Sequence, residues 1–117
     1  MKPILAILLF IPLFGTAQVY PDSLLNVLED ETQPDTIRLQ AIKKIAWEIY
    51  LSPQPDSAFY FAGLQYDFAK EKKLTIYMIT ALNTQGASLY IQGEYEAAAE
   101  RFTESLQLAE RIRDQKR

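Results

Sequence analysis

Apolar side chains recur every three or four positions along most of this chain, which is the spacing of one face of an α-helix. In the segment 32–52, for example, Ile42, Ile45 and Ile49 follow one another at this interval, with charged residues between them. No segment shows a convincing alternation of period two, which would indicate a strand. The pattern therefore predicts an all-α protein with four or five helices, over about residues 21–31, 32–52, 55–71, 75–92 and 94–113.

Prolines and short links indicate where these helices begin and end. Pro21, Pro34 and Pro55 stand at first-turn positions, where the missing amide proton costs little, and Pro53 stops the second helix. Only a few residues separate the last three helices. Links this short place consecutive helices side by side and antiparallel, so the sequence predicts a series of helical hairpins.

The first seventeen residues have the pattern of a secretory signal peptide. Lys2 precedes an unbroken apolar run over residues 4–14, and small residues at 15–17 favour cleavage after Ala17. An uncleaved membrane anchor is the alternative, but a run of this length covers only about 16 Å as a helix, roughly half of a hydrocarbon core. We therefore expect an exported protein, periplasmic or secreted, which would be membrane-anchored only if the signal were retained.

The chain resembles itself when it is shifted by forty positions. Small residues fall on small ones, apolar residues fall on apolar ones, and the helix-stopping Pro53 falls on Gly93. The identical pairs are Ala41 with Ala81, Tyr50 with Tyr90, Ala58 with Ala98, and Ala69 with Ala109. Such a period predicts a repeated helix–turn–helix unit.

The second copy of this unit resembles a tetratricopeptide repeat (TPR). Gly86, Gly93, Tyr95 with the acidic residue before it, Ala98 and Phe102 match the family pattern position by position. The resemblance implies a TPR-like solenoid of antiparallel helical hairpins, in which small residues let neighbouring helices pack closely. The residues to which it gives repeat-packing roles are Ala46, Ala58, Gly86, Gly93, Tyr95, Ala98 and Phe102.

The resemblance covers about residues 35–113, and it is weaker in the first copy than in the second. Leu82 stands where the family often has tryptophan, Ser105 where alanine is common, and Glu110 where a proline usually closes the repeat. The chain is then divided into a signal peptide (1–17), a leading helix and linker (18–33), a first TPR-like repeat (34–73), a second repeat (74–113) and a C-terminal tail (114–117).

A signal peptide and a short leading helix before such repeats are similar to the start of exported bacterial sensor proteins. The resemblance implies a non-catalytic interaction module with a protein or peptide partner, which could be the sensor end of a signalling protein. Two alternatives stay open: a structural, self-associating helical domain, and a truncated fragment without independent function. Self-association is expected through the last helix, at Leu106, Leu108 and Ile112, because no later repeat covers its outer face.

The composition lacks most of the side chains on which enzymes commonly rely for catalysis. The chain has no cysteine and no histidine, which excludes thiol nucleophiles, zinc–thiolate sites and the usual general base. Glu94 and Glu96 could form a carboxylate pair, but they begin a helix, where the dipole favours negative charge, and they point in different directions. The net charge of −3 does not favour binding to nucleic acid. We expect no catalytic residue, no cofactor and no metal.

The resemblance also implies that the first helix of each repeat lines the partner-binding face. The candidates for partner contact are Lys43, Trp47, Tyr50, Asn83, Thr84 and Tyr90. Trp47 could instead cover the leading helix, since an end repeat must bury its face against something. Some TPR domains clamp a peptide's terminal carboxylate with lysine and asparagine, and Lys43 fits one such position. Trp47 and Thr84 replace the asparagines that this clamp needs, so we do not expect it here.

Overall fold

The computed structural model of the protein describes residues 19–116, and this part of the chain is helical without any strand. The helices are α1 (Val19–Glu29), α2 (Asp35–Lys44), α3 (Pro55–Lys72), α4 (Thr75–Ile91) and α5 (Tyr95–Gln115), and α2 continues as a π-helical segment over Ile45–Tyr50. The predicted all-α class is thereby confirmed. The predicted signal peptide lies outside the described residues. No helix among residues 19–116 is long and apolar enough to cross a membrane.

The helices begin where the prolines and the forty-residue period predict. Pro34 immediately precedes α2, and Pro55 is the first residue of α3. Helix α4 begins forty residues after α2, and α5 begins forty residues after α3. Local chemistry therefore fixes the element boundaries to within a few residues.

Hydrogen bonds between consecutive helices show that they run antiparallel. The side-chain nitrogen of Gln65, late in α3, donates to the carbonyl of Tyr77, early in α4, at 2.8 Å. The hydroxyl of Ser88, near the end of α4, donates to the carbonyl of Pro55 at the start of α3. Ser105, midway along α5, reaches back to the carbonyl of Ile79 in α4 at 3.4 Å. The chain is thus a series of helical hairpins.

Two of the links depend on a residue in the left-handed conformation. Lys73 (φ 60°) ends α3 and Gly93 (φ 84°) ends α4, and no other described residue has positive φ. After α4, the amide of Glu94 donates to the carbonyl of Leu89 at 2.8 Å, and that of Gly93 to Tyr90 at 3.0 Å. This pair of bonds is a Schellman motif, which satisfies the last carbonyls of the helix.

The link between α1 and α2 is held in a turn by hydrogen bonds between its own residues. A carboxylate oxygen of Asp30 accepts hydrogen bonds from the hydroxyl of Thr32 at 2.6 Å and from its amide at 3.0 Å. These bonds hold the pKa of Asp30 below its usual value because they favour the charged carboxylate, and the bond from the Thr32 hydroxyl has the larger effect.

The core lies between α1, α2, the π-helical segment and α3. Its fully buried side chains include Leu25, Leu39, Ile45 and Phe61, and alanines line the side of α3 that faces them. Small residues at these positions let the helix axes approach closely. The buried alanines are Ala58, Ala62 and Ala69 on α3, Ala41 and Ala46 on α2 and its π-helical extension, Ala81 on α4 and Ala98 on α5.

The residues predicted to pack the repeats divide into four groups. Ala46, Ala58 and Ala98 are buried, as a packing role requires. Gly86 is also buried, and the ring of Phe102 lies against it. Gly93 has open space where a side chain would be, so its contribution is backbone conformation rather than packing. Tyr95 is exposed and contacts the ring of Tyr90 edge to face, at 5.2 Å between centroids.

Candidate functional site

Helices α2 and α4 lie side by side and form a groove. The side chain of Gln40 in α2 donates to the hydroxyl of Tyr77 in α4 at 3.4 Å, 37 positions further along the chain. Further along both helices a groove of about 200 Å³ opens between them. Its lining residues are Lys43, Trp47, Thr80, Asn83 and Thr84. Four of the six residues predicted to contact a partner are therefore brought together here, although they come from two separate helices.

Lys43 and Trp47 form the α2 side of this α2–α4 groove. Both side chains line the groove, Lys43 from the last turn of α2 and Trp47 from the π-helical segment that follows. Trp47 belongs to the π-helical segment, and 49% of its surface is exposed, although its neighbours Ile45 and Ala46 are completely buried. It lies on the side of α4, where it lines the groove, and it does not belong to the core formed with α1.

On the α4 side, the hydroxyl groups of Thr80 and Thr84 form the floor of the groove and are already hydrogen-bonded, whereas the side-chain amide of Asn83 is free to bind a ligand. Thr84 is only 2% exposed, and its hydroxyl donates to the carbonyl of Thr80 at 3.0 Å. The Thr80 hydroxyl accepts from Gln65 at 2.7 Å and donates to the carbonyl of Tyr77 at 3.2 Å. The side chain of Asn83 is exposed and has no hydrogen-bond partner within residues 19–116. Asn83 and Lys43 are thus the polar groups that the groove offers to a ligand.

Two predicted contact residues turn out to be buried, which corrects the sequence analysis. Tyr50 belongs to the core, where its ring stacks on that of Phe61 at 5.5 Å between centroids and 1° between planes. Burial raises the pKa of the Tyr50 hydroxyl, and the negative charge of Asp22 adds to this effect. Thr84 forms the floor of the groove but has almost no surface for a partner. Neither residue can be a principal contact.

Tyr90 is exposed, as a contact residue must be, but it lies outside the α2–α4 groove. Its ring meets that of Tyr95 across the link between α4 and α5, with an angle of 63° between the two planes. The two rings form a separate aromatic patch at that end of the molecule.

A wider cavity, of about 550 Å³, which was not predicted from the sequence, lies where the end of α1, the start of α2 and the end of α3 meet. Leu28, Ile42, Leu64 and Phe68 supply its apolar walls. Its charged lining residues are Glu29, Glu31, Asp35, Asp67, Glu71, Arg38 and Lys72. The acidic residues come from three helices and from the link between α1 and α2, and no sequence pattern shows that they converge.

Arg38 braces this cavity. Its Nε donates to the carbonyl of Leu28 at the end of α1, at 2.8 Å, and its guanidinium lies 4.8 Å from the centre of the Phe68 ring in α3. One side chain on α2 therefore connects three helices. The ring of Phe68 is also approached by Lys72, whose Nζ lies 5.9 Å from the ring centre. These contacts join the three helices that line the cavity.

Among residues 19–116, no group of three or more acidic side chains is placed to hold a metal ion. Searches among protein families, curated proteins and solved structures found no match to this chain. The α2–α4 groove is the place where four of the residues predicted to contact a partner meet.

Proposed function

We propose that this chain is an exported, non-catalytic interaction module of TPR type, which binds a segment of a partner protein in the α2–α4 groove. The observation that carries the proposal is the convergence of Lys43, Trp47 and Asn83 on one groove from two helices that are far apart in sequence. A large exposed aromatic side chain beside two unengaged polar groups is typical of recognition surfaces.

The fold supports the TPR part of the proposal. Consecutive helices are antiparallel, and the starts of the helices repeat after forty residues. The residues to which the TPR resemblance gives close-packing roles are in close contact: Ala58 and Ala98 are buried, and Phe102 lies on Gly86. In a TPR array the first helices of successive repeats lie next to each other, as α2 and α4 do here.

The groove chemistry favours a partner segment that carries a carboxylate next to an apolar side chain. The ammonium group of Lys43 suits an aspartate or glutamate of the partner, and the ring of Trp47 suits an apolar side chain one or two residues away. The amide of Asn83 can hydrogen-bond the partner backbone, since it offers both a donor and an acceptor. A terminal-carboxylate clamp is not part of the proposal, because Trp47 and Thr84 occupy the positions of its asparagines.

Trp47 makes the proposal directly measurable, because it is the one tryptophan of the chain. Peptides selected from a random display library would be titrated against the protein while the fluorescence of Trp47 is recorded. A peptide bound in the groove should shift that emission. It should also bind Lys43→Glu at least about tenfold more weakly, a loss of about 1.4 kcal/mol.

The matched control is Lys44→Glu, which changes the charge of the neighbouring exposed lysine from positive to negative, as Lys43→Glu does. Lys44 does not line the groove, so affinity should stay within about twofold. Equal losses in the two variants, or binding without any change in Trp47 emission, would place the ligand elsewhere. Asn83→Ala should weaken binding further when it is combined with Lys43→Glu.

Export is tested separately. Residues 1–17 fused to a reporter enzyme that is active only outside the cytoplasm should give activity, and mass spectrometry of the exported product should show cleavage after residue 17. An inactive fusion would remove the exported part of the proposal and leave the binding part untouched.

As part of the same proposal, the module serves as the sensor end of a signalling protein.

A further inference from the structure

Helix α5 carries an exposed apolar surface beside the face that packs on α4. Ala98 and Ser105 are buried, and Ser105 is hydrogen-bonded to α4. Adjoining this face, Phe102 and Leu106 are 41% and 59% exposed and Tyr95 is 63% exposed, although one side of the Phe102 ring lies against Gly86 of α4. We call this surface the α5 stripe, and it consists of Tyr95, Ala99, Phe102, Leu106 and Ala109, with Arg113 at its end.

The spacing of the α5 stripe is that of a coiled-coil seam. Its members follow one another at intervals of four and three residues, and apolar residues at such intervals are buried when a second helix with the same spacing packs against them. Among the described residues, α5 packs principally on α4, and the exposure of Phe102 and Leu106 shows that no described helix covers the stripe.

The α5 stripe is its own complement when a second copy lies against it in the opposite direction. The intervals of four, three, four, three and four residues read the same from both ends. An antiparallel copy therefore puts Phe102 opposite Leu106, and Ala99 opposite Ala109. At each end Tyr95 lies opposite Arg113, whose guanidinium can pack on an aromatic ring. One surface used twice is what a two-fold dimer requires.

The charges of α5 favour the antiparallel arrangement over the parallel one. Residues 94–104 contain four glutamates and one arginine, a net charge of −3, whereas residues 105–116 contain three basic and two acidic residues, a net charge of +1. In an antiparallel pair the acidic half of one helix lies beside the basic half of the other. A parallel pair would put the two acidic halves together, which is unfavourable.

We propose that a second copy of this chain docks on the α5 stripe, as an antiparallel two-fold pair centred between Phe102 and Leu106. The groove residues lie on α2 and α4, so this surface is separate from the proposed partner site, and either proposal can fail without the other. The exposure of the α5 stripe leaves it open to a second helix, its spacing fits such a helix, and the charge distribution of α5 selects the antiparallel orientation.

The absence of cysteine from the sequence allows a test of the register by disulfide cross-linking in the full chain. The variants Ala99→Cys and Ala109→Cys would be oxidised separately and as a mixture. In the proposed pair, position 99 of one copy faces position 109 of the other, so the mixture should give a covalent dimer. Each variant alone should give little, because two copies of position 99 are about 15 Å apart along the helix axis. Cross-linking of the single variants as strong as that of the mixture would overturn the antiparallel register.

The second test is the oligomeric state, measured by sedimentation over a range of protein concentrations. Leu106→Glu should weaken the dimer at least about tenfold, because it buries a charge at the centre of the seam. The control is Ile76→Glu, since Ile76 on α4 is equally exposed, at 60%, but lies outside the α5 stripe. Circular dichroism should show unchanged helix content in both variants. A monomer at all concentrations, or equal weakening by both variants, would overturn the proposal.

Discussion

The ring of Phe102 lies directly on Gly86, where α5 crosses α4. A β-carbon at position 86 would be 2.7 Å from Cε1 of Phe102 and 2.8 Å from its Cζ. No pair of carbon atoms tolerates such distances, so the contact exists only because residue 86 has no side chain. The absence of a side chain at position 86 thus lets α5 approach α4 closely at this point.

Gly86→Ala should therefore destabilise the protein, by about 1 kcal/mol in chemical denaturation. Displacing the ring of Phe102 costs about 1–3 kcal/mol, which outweighs the gain of about 1 kcal/mol that alanine brings to a helix interior. In a Phe102→Ala background the sign should reverse, because only the helix propensity remains. Stabilisation by Gly86→Ala in both backgrounds would show that the ring is not held against Gly86.

The two left-handed helix ends predict opposite effects of exchanging glycine with another residue. Lys73→Gly should stabilise the protein by up to about 1 kcal/mol, because lysine is strained at φ 60° and glycine is not. Gly93→Ala should destabilise it by a similar amount for the same reason, since its φ is 84° and nothing else obstructs a β-carbon there. Thermal unfolding of both variants checks this prediction, and shifts of the same sign would contradict it.

Arg38→Met should loosen the attachment of α1. Methionine keeps much of the apolar stem but loses the bond to the carbonyl of Leu28 and the charge above the Phe68 ring. The loss should amount to about 1–2 kcal/mol. Hydrogen exchange should show faster exchange of the α1 amides, with those of α5 much less affected. Arg111→Met, at an exposed position, is the control, and equal effects of the two changes would argue against the brace.

Tyr50 should make the stability of the fold fall at alkaline pH. Burial raises the pKa of its hydroxyl in the folded protein above the value of an unfolded chain. The stability that this shift represents is complete below the unfolded pKa of about 10, and it is lost as the pH rises towards the folded pKa. Urea denaturation at pH 8 and pH 11 should show a smaller loss for Tyr50→Phe than for the wild type. Tyr60→Phe, at an exposed position, should behave like the wild type.

The sequence by itself determined the helices and the period that relates them. Prolines at first-turn positions, a glycine at a helix end and apolar residues at intervals of three and four act through the backbone nearby, so they can be recognised without the fold. For this reason the all-α class, the helix starts and the role of Gly93 could be predicted. The TPR resemblance, and the function that follows from it, stay predictions.

Only the tertiary structure decided which side chains share a surface. The cavity braced by Arg38 and the α2–α4 groove each collect residues from separate helices, and their proximity depends on how those helices are offset. Lys43 and Trp47 lie in the groove together with Asn83 because α2 and α4 are neighbours. The spacing of the α5 stripe, in contrast, is visible in the sequence, and the structure adds only which face of α5 is covered by α4.

Trp47 and Tyr50 show the physical reason most directly. Both were expected to meet a partner because the TPR resemblance places the first helix of a repeat on the binding face, and residues three apart on an α-helix lie on neighbouring positions of one face. They lie instead in a π-helical segment, where hydrogen bonds reach one residue further and each turn holds more residues. Residues three apart then point in different directions, and Tyr50 turns into the core while Trp47 faces the groove. The spacing of the apolar residues predicted an ordinary α-helix here, so only the tertiary structure shows that Tyr50 stacks on Phe61 in the core while Trp47 stays outside it.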